Sequence, residues 1–280
     1  MQLYRTKEGA LLANENKVFL LTEAWDVIIN RSHLHQHLSG LAEISEALSF
    51  DLSHHLLSNI IAPIGNQEVW AAGVTYLRSR DARMEESKES GASDVYSKVY
   101  EAERPELFFK ALPHRVSGQC EVVYMRKDSA WNVPEPELTL FINSAGEIQA
   151  YTVGNDMSSR SIEGENPLYL PQAKVYERSC ALGPCLFVPE KPISPETLIS
   201  ISIKREHQEV FANSIQLNRM KRNLPELATW LYMACKFQYG SFLMTGTGIV
   251  PPNDFTLQAN DEVSISIEGI GTLTNTVQLI

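Results

Sequence analysis

Short apolar runs separated by turn residues dominate the chain from residue 108 to the C-terminus. Their length and their content of Val, Ile, Leu, Phe and Tyr are typical of β-strands. The predicted strands are residues 122–125, 138–143, 148–154, 185–188, 199–204, 242–246 and 263–267. Together with a few helical patterns they predict a β-rich α+β protein.

The first 62 residues predict a small α/β unit. Strand patterns cover 2–6, 10–13 and 18–21, and helical patterns cover 22–29 and 41–48. Residues 61–66 include a proline and a glycine and predict a linker. We therefore expect an N-terminal domain at 1–62 and a larger β-rich domain at 66–280.

Two helical regions stand out within the larger domain. Leu224-Pro225-Glu226 opens a helical pattern in which Leu227 and Leu231 belong to an apolar stripe, so a core-facing helix is predicted there. Residues 78–104 are rich in charge and poor in apolar side chains. Their position beside the motifs described below favours a mobile lid over a plain solvated helix.

Three carboxylates converge on one predicted hairpin. Ala145-Gly146 is a turn centre between two apolar runs. Residues two apart in a strand share a face, so Glu135 and Glu137 project together. A turn at this position makes opposed residue numbers sum to about 291, which places Asp156 opposite Glu135 on the same face.

Such a cluster is repulsive unless a positive charge lies within it. One interpretation is that the strand ends splay into solvent and the charges are screened. The interpretation we favour is a divalent cation held by Glu135, Glu137 and Asp156. All-oxygen ligands select hard ions, Mg²⁺ first and then Mn²⁺ or Ca²⁺.

Composition narrows the class of partner. The net charge of −10 argues against nucleic acid as a general partner. The chain starts without the apolar segment of a signal peptide and has no run long enough to span a membrane, so a cytoplasmic protein is expected. The cysteines have no metal-type spacing and are expected to be buried free thiols: Cys120, Cys180, Cys185 and Cys235.

Several pieces of the chain resemble the fumarylacetoacetate hydrolase superfamily. They are residues 73–76, 105–110, 135–138, 151–160, 172–174, 182–184, 245–247 and 268–275. They occur in the order of the family and span about 66–280. The resemblance implies a mixed β-roll domain and a homodimer or higher homo-oligomer, with Mg²⁺ bound by the three carboxylates.

The resemblance also implies substrate contacts. Lys174 would reach the oxo-acid end of a small 2-oxo acid, and the turn formed by Thr245, Gly246 and Thr247 would help to bind its carboxylate. Hydrolases of this family carry a histidine where this chain has Ser79. Without that histidine, hydrolysis of a carbon–carbon bond loses the group that activates water.

Residues 73–87 and 162–176 resemble the branch of the family that dehydrates 2-oxo-3-deoxy sugar acids. The implied reaction converts 2-dehydro-3-deoxy-D-arabinonate into 2,5-dioxopentanoate through a metal-stabilised enolate. Lys174 would remove a C3 proton and a protonated Glu106 would donate to the departing C4 hydroxyl. Arg83 would steady the substrate from the lid, or is one more charge on a solvated helix.

Other activities use the same metal site. The alternatives are hydrolysis of an acylpyruvate and decarboxylation of oxaloacetate, neither of which needs a hydroxyl at C4. A catalytically idle protein that binds a 2-oxo acid is a third hypothesis. Dependence of turnover on the C4 hydroxyl distinguishes the dehydratase from these alternatives.

Overall fold

The computed structural model describes residues 1–86 and 93–280. The strands in these ranges are β1 (Gln2–Thr6), β2 (Ala10–Asn14), β3 (Lys17–Leu21), β4 (Ile60–Ile61), β5 (Glu68–Gly73), β6 (Glu106–Ala111), β7 (Val116–Ser117), β8 (Val122–Met125), β9 (Asn132–Val133), β10 (Pro136–Ile142), β11 (Ile148–Asp156), β12 (Ser158–Ser159), β13 (Cys180–Phe187), β14 (Leu198–Arg205), β15 (Gln208–Gln216), β16 (Ser241–Met244), β17 (Glu262–Ile267) and β18 (Gly271–Leu279).

The helices in the same ranges are α1 (Trp25–Ile29), α2 (Leu34–Ile44), α3 (Phe50–Leu57), α4 (Leu77–Glu86), α5 (Ser93–Glu101), α6 (Arg160–Glu165), α7 (Leu170–Lys174) and α8 (Leu224–Tyr232). Short 3₁₀ turns lie at Pro113–Arg115, Pro167–Tyr169 and Leu217–Arg219. None of the helices within residues 1–86 and 93–280 has the length and apolar character that a membrane crossing requires.

Two sheets packed against each other form the centre of the fold. The large sheet runs in the order β3-β2-β1-β13-β11-β10-β16-β5-β6, and the second runs β15-β14-β17-β18-β8. Leu140 and Val153 of the large sheet share a buried cluster with Ile201 and Ile265 of the second sheet. Strands β14 and β17 bury alternate residues, as expected for strands with one face on a core. The α+β class predicted from the sequence is confirmed.

The N-terminal strands extend the large sheet. Strand β1 pairs with β13, where Leu3 lies opposite Leu186. Helices α1 and α2 contribute Ile28, Ile29 and Leu34 to a second buried cluster, which also contains side chains of the central strands. Residues 1–62 are therefore joined to the sheet by hydrogen bonds and by core packing. A domain boundary at residue 62 stays a prediction.

Strands β10 and β11 form the predicted hairpin in the predicted register. Glu137 pairs with Gly154 and Leu138 with Val153, and these residue numbers sum to 291. The Asp156 amide donates to the Glu135 carbonyl at 3.0 Å, which continues the register to the two outer carboxylates. A bulge at Phe141/Ile142 shifts the pairing only beside the turn.

The helix predictions were less accurate. Helix α2 begins at Leu34 and ends at Ile44, whereas the sequence pattern predicted 41–48. The predicted lid contains helices α4 and α5, and its residues 87–92 lie outside the described residues.

The prediction of buried thiols was right for Cys180 and Cys185 and wrong for Cys120 and Cys235, which are exposed.

We predict that Leu3→Ala destabilises the whole protein rather than a separate N-terminal unit. Leu3 is fully buried at the β1–β13 pair, so its truncation should lower the free energy of unfolding by about 2–5 kcal/mol. Urea unfolding followed by circular dichroism should show one transition at a lower midpoint. Leu20→Ala, at a 37% exposed position of β3, is the control. Two separate transitions would contradict the prediction.

Candidate active site and metal centre

Three buried carboxylates meet at the open end of the β10–β11 hairpin. One oxygen each from Glu135, Glu137 and Asp156 lies within 4.8 Å of the others, and the three residues are 4%, 2% and 1% exposed. The pairing register sets Asp156 beside Glu135, and the two-residue strand period sets Glu137 on the same face. The sequence prediction that these carboxylates converge is thus what the structure shows; their role as ligands stays a prediction.

Two buried lysines contact this cluster. Lys174, the last residue of α7, has its Nζ 2.5 Å from Glu135 Oε2 and 3.1 Å from Asp156 Oδ2. Lys110, on β6, has its Nζ 2.5 Å from Asp156 Oδ1 and also donates to the backbone carbonyls of Met157 and Lys174. Lys110 therefore links a carboxylate of the cluster to the backbone that carries Lys174.

Two arginines and a further glutamate surround the cluster. Arg160 donates from Nη2 to Glu135 Oε1 at 2.8 Å. Arg83 on α4 forms an ion pair with Glu163 on α6, and Ser158 Oγ donates to the other oxygen of that carboxylate at 2.9 Å. The residues Arg83 and Glu163 are 5% and 1% exposed. The predicted lid thus places Arg83 in the wall of the site rather than on a solvated face.

Glu106 lies at the first position of β6, against Gly73. A Cβ built on Gly73 would lie 2.0 Å from Glu106 Oε2, so only glycine leaves room for this carboxylate. Within the described residues Glu106 Oε2 is buried and has no hydrogen-bond partner. Burial, first of all, and the charges of Glu135 and Asp156 raise the pKa of Glu106. This carboxyl group is suited to holding a proton.

The turn at residues 245–247 closes the site from the opposite strand. The Gly246 amide donates to Glu137 Oε2 at 2.6 Å, and Thr245 Oγ1 donates to the Leu138 carbonyl. Gly246 has φ +91°, and a Cβ there would lie 2.1 Å from Thr75 Oγ1. Thr247 is buried and lines the same small cavity as the carboxylates. The sequence therefore placed this turn correctly, whereas carboxylate binding by it stays a prediction.

The pKa values of Glu135 and Glu137 are shifted in opposite directions. Although burial raises the pKa of Glu135, the cations Lys174, Arg160 and Arg83 lower it to about 2. Burial and the neighbouring carboxylates Asp156 and Glu135 raise the pKa of Glu137 well above its ordinary value. An added positive charge beside Glu137 would therefore favour its ionised form.

The donor set fits a hard divalent cation. The facing ligand atoms are all carboxylate oxygens, at mutual distances that one ion can bridge. The pKa of Glu137 is raised by burial first and then by repulsion from Asp156 and Glu135. A cation between these oxygens would relieve that repulsion, and Mg²⁺ matches this oxygen chemistry.

Ser79 cannot replace the histidine of the hydrolases as a base. Its Oγ donates to the Tyr76 carbonyl at 2.8 Å and accepts from the Tyr76 amide at 3.3 Å. The hydroxyl group therefore holds the start of α4, although Ser79 also lines the site cavity.

Sequence reasoning missed three residues of the site: Lys110, Arg160 and Glu163. Lys110 gave one usable signal, because it shares a strand face with Glu106 and Phe108 between apolar neighbours. A lysine at such a position is buried, and a buried lysine is paired. Arg160 and Glu163 lie in a short polar helix, where nothing in the pattern distinguishes them from surface charges.

Comparison with known proteins defines the class of this protein. Residues 84–278 match the model of the fumarylacetoacetate (FAA) hydrolase C-terminal family. The chain belongs to the fumarylacetoacetate hydrolase family, as the sequence resemblance predicted.

Two similar proteins carry dehydratase names. The chain is 47% identical over 219 residues to a probable 2-keto-3-deoxyxylonate dehydratase of Haloferax volcanii, covering 78% of this chain and 74% of that protein. It is 39% identical over 252 residues to the 2-dehydro-3-deoxy-D-arabinonate dehydratase of Saccharolobus solfataricus, covering 89% and 83%.

A solved structure of the same type supports the fold. It is a 2-keto-3-deoxy-D-arabinonate dehydratase complexed with magnesium and 2,5-dioxopentanoate, which is 32% identical to this chain with a TM-score of 0.84. The alignment covers 100% of this chain and 99% of that one. The expected fold of the family is confirmed for this chain.

We predict that Mg²⁺ binding weakens as the pH falls. A metal ligand must be deprotonated, and the raised pKa of Glu137 means that a proton competes with the cation as pH decreases through that pKa. Calorimetric titrations in buffers of different ionisation enthalpy should show proton release on binding. Glu137→Gln should lower the affinity by at least about tenfold. Affinity that is independent of pH, without proton release, would contradict this.

Proposed function

We propose that this protein is an Mg²⁺-dependent hydro-lyase that dehydrates a 2-oxo-3-deoxy sugar acid, converting 2-dehydro-3-deoxy-D-arabinonate into 2,5-dioxopentanoate. The observation that carries the proposal is the buried carboxylate cluster with Lys174 on one side and Glu106 beside it. The relatives named above support it, since both of them carry dehydratase names.

Glu135, Glu137 and Asp156 would hold the cation. A bound cation would supply the positive charge that polarises the 2-oxo group of the substrate. Mn²⁺ or Ca²⁺ would fit the same oxygen ligands.

Lys174 is the proposed base. Its Nζ is fully buried and lies against Glu135 and Asp156, within reach of a substrate chain held at the carboxylate cluster. The amine would take one C3 proton. Lys110 would keep Lys174 in place by its hydrogen bond to the Lys174 carbonyl.

Glu106 is the proposed acid. A protonated carboxyl group can donate to the C4 hydroxyl as it leaves as water.

The Thr245–Thr247 turn and Arg83 would bind the carboxylate and steady the chain of the substrate, since Thr247 and Arg83 line the site cavity.

Ser79 favours elimination over hydrolysis. The hydroxyl group of Ser79 is engaged by the backbone of Tyr76, so at this position no base is available to activate water. Acylpyruvate hydrolysis and oxaloacetate decarboxylation are the alternative functions, because they use the same cation and a 2-oxo acid.

We also propose a homodimer or higher homo-oligomer that acts in the cytoplasm in pentose catabolism. The family resemblance supports self-association, and β15 is largely exposed along its length. The free cysteines among the described residues fit a reducing compartment.

The direct test is an Mg²⁺-supplemented assay with 2-dehydro-3-deoxy-D-arabinonate. We expect 2,5-dioxopentanoate, measured by coupled oxidation of its aldehyde, and complete loss of turnover with EDTA. Acetylpyruvate and oxaloacetate should react slowly or not at all. Turnover of either of these without turnover of the sugar acid would refute the dehydratase assignment and leave only the family.

We predict that Glu106→Gln lowers kcat by about 10²–10⁴-fold, because an amide cannot supply the proton. Affinity for Mg²⁺ should be retained, since Glu106 is outside the ligand cluster. Steady-state kinetics and calorimetry on the same preparation measure the two effects. The matched control is Glu103→Gln, at an exposed position three residues earlier. An unchanged kcat in Glu106→Gln would exclude the assigned role.

A further inference from the structure

Glu106 lies in the wall of a second cavity, with a volume of about 270 Å³. The cavity lies between α5 and the segment that leads into α7. Its lining is largely hydrocarbon and comes from Val95, Tyr96, Val99, Pro167 and Leu170. The reaction steps described above use none of these five side chains.

The second cavity and the metal-site cavity share one wall. Gly73 and Arg83 line the metal-site cavity, and Glu106 Oε2 lies directly against Gly73. The Arg83 guanidinium carbon lies 5.7 Å from the centre of the Tyr96 ring, and Tyr96 lines the second cavity. Glu106 and the Arg83–Tyr96 contact therefore separate the two spaces.

The order of atoms in the substrate matches this arrangement. With C1 and C2 at the carboxylate cluster and the C4 hydroxyl at Glu106, the chain beyond C4 continues past Glu106. The neighbouring space on that side is the second cavity. A volume of about 270 Å³ exceeds what one terminal hydroxymethyl group requires, since a water molecule in the liquid occupies about 30 Å³.

We propose that this distal cavity holds the part of the substrate beyond C4, and that its hydrocarbon lining selects against additional hydroxyl groups rather than against chain length. This inference rests on the proposed dehydratase function. The preferred substrate class is 2-oxo-3-deoxy acids of five or six carbons with few hydroxyl groups after C4, including those that end in a methyl group.

The lining offers few partners for a hydroxyl group. Arg104 is the cation of the cavity wall, and its guanidinium carbon lies 4.4 Å from the centre of the Trp230 ring, so it stacks on α8. A hydroxyl group finds no hydrogen-bond partner in the side chains of Val95, Val99 and Leu170, whereas a methyl group gains from contact with Val99 and Leu170.

The elimination balances whether or not C5 carries a hydroxyl. The hydrogen at C3 and the hydroxyl at C4 leave as water, and a double bond forms between C3 and C4. Where C5 carries a hydroxyl, a proton moves from C5 to C3 to give the C4–C5 enol, and the hydroxyl proton of this enol then moves to C4, which leaves a carbonyl at C5. A 5-deoxy substrate stops at the conjugated 2-oxo-3-enoic acid, whose ultraviolet absorption reports the elimination directly.

The test compares two six-carbon 2-oxo-3-deoxy acids of identical configuration that differ only in a hydroxyl at C6. With Mg²⁺ present, we expect kcat/KM for the 6-deoxy acid to exceed that of the 6-hydroxy acid by about ten- to hundredfold. Equal values, or a preference for the 6-hydroxy acid, would overturn the selection against hydroxyl groups.

Two variants test the location. Leu170→Trp fills the cavity and should lower kcat/KM for the 6-deoxy acid by at least about tenfold. It should leave kcat/KM for 4-hydroxy-2-oxobutanoate unchanged, because that acid ends at C4. Val99→Thr keeps the shape of the side chain and adds a hydroxyl, so it should narrow the difference between the two six-carbon acids. The controls are Leu168→Trp, at an 83% exposed site, and Val210→Thr, at a 42% exposed site on β15.

The outcomes separate this inference from the proposed function. If Leu170→Trp affects the four- and six-carbon acids equally, and Val99→Thr leaves the discrimination between the two six-carbon acids unchanged, the role of the distal cavity is refuted while the dehydratase function stands. If the unaltered protein with Mg²⁺ dehydrates none of these acids, the proposed function fails and the inference fails with it.

Discussion

The site depends first on the register in which β10 pairs with β11. Glu137 and Asp156 face the site because Leu138 and Val153, on the opposite face of the same strands, are buried between the two sheets. A slip of one residue would turn the carboxylates into that apolar core and the leucine and valine toward the site. The free energy of burying the core therefore also fixes the positions of the acidic groups.

Burying so many charges is costly unless each has a partner. The partners come from separate parts of the chain: Lys110 from β6, Lys174 from α7 and Arg160 from α6. Buried ion pairs contribute little net stability compared with apolar packing, yet removal of one partner is strongly destabilising. The network is thus better explained by the need to fix oxygen and nitrogen atoms around a substrate than by the stability of the fold.

The sequence predicts the elements that have a periodic apolar pattern. The β10–β11 hairpin, its register and helix α8 follow from turn residues and spacing alone. Strand β15 does not, because its residues are mostly polar and exposed and show no alternation. Helices α2 and α3 were missed or displaced because histidine and serine residues interrupt their apolar faces. Arg160 can be assigned to the site only from the structure, since its partner Glu135 is distant in sequence and its short helix has no apolar pattern.

In the proposed mechanism, the groups that distinguish elimination from hydrolysis lie outside the carboxylate cluster. Both reactions would use a cation and a lysine beside a 2-oxo acid, and the residues proposed for these roles lie on the β10–β11 hairpin and α7. They differ in the remaining group: hydrolysis needs a base for water, whereas elimination needs an acid for a hydroxyl. Ser79 is bound to the backbone of its own turn, and Glu106 has a raised pKa in a buried position. Because both lie where β5 and β6 meet α4, this corner of the fold can determine the reaction while the sheet beneath it keeps the same cluster.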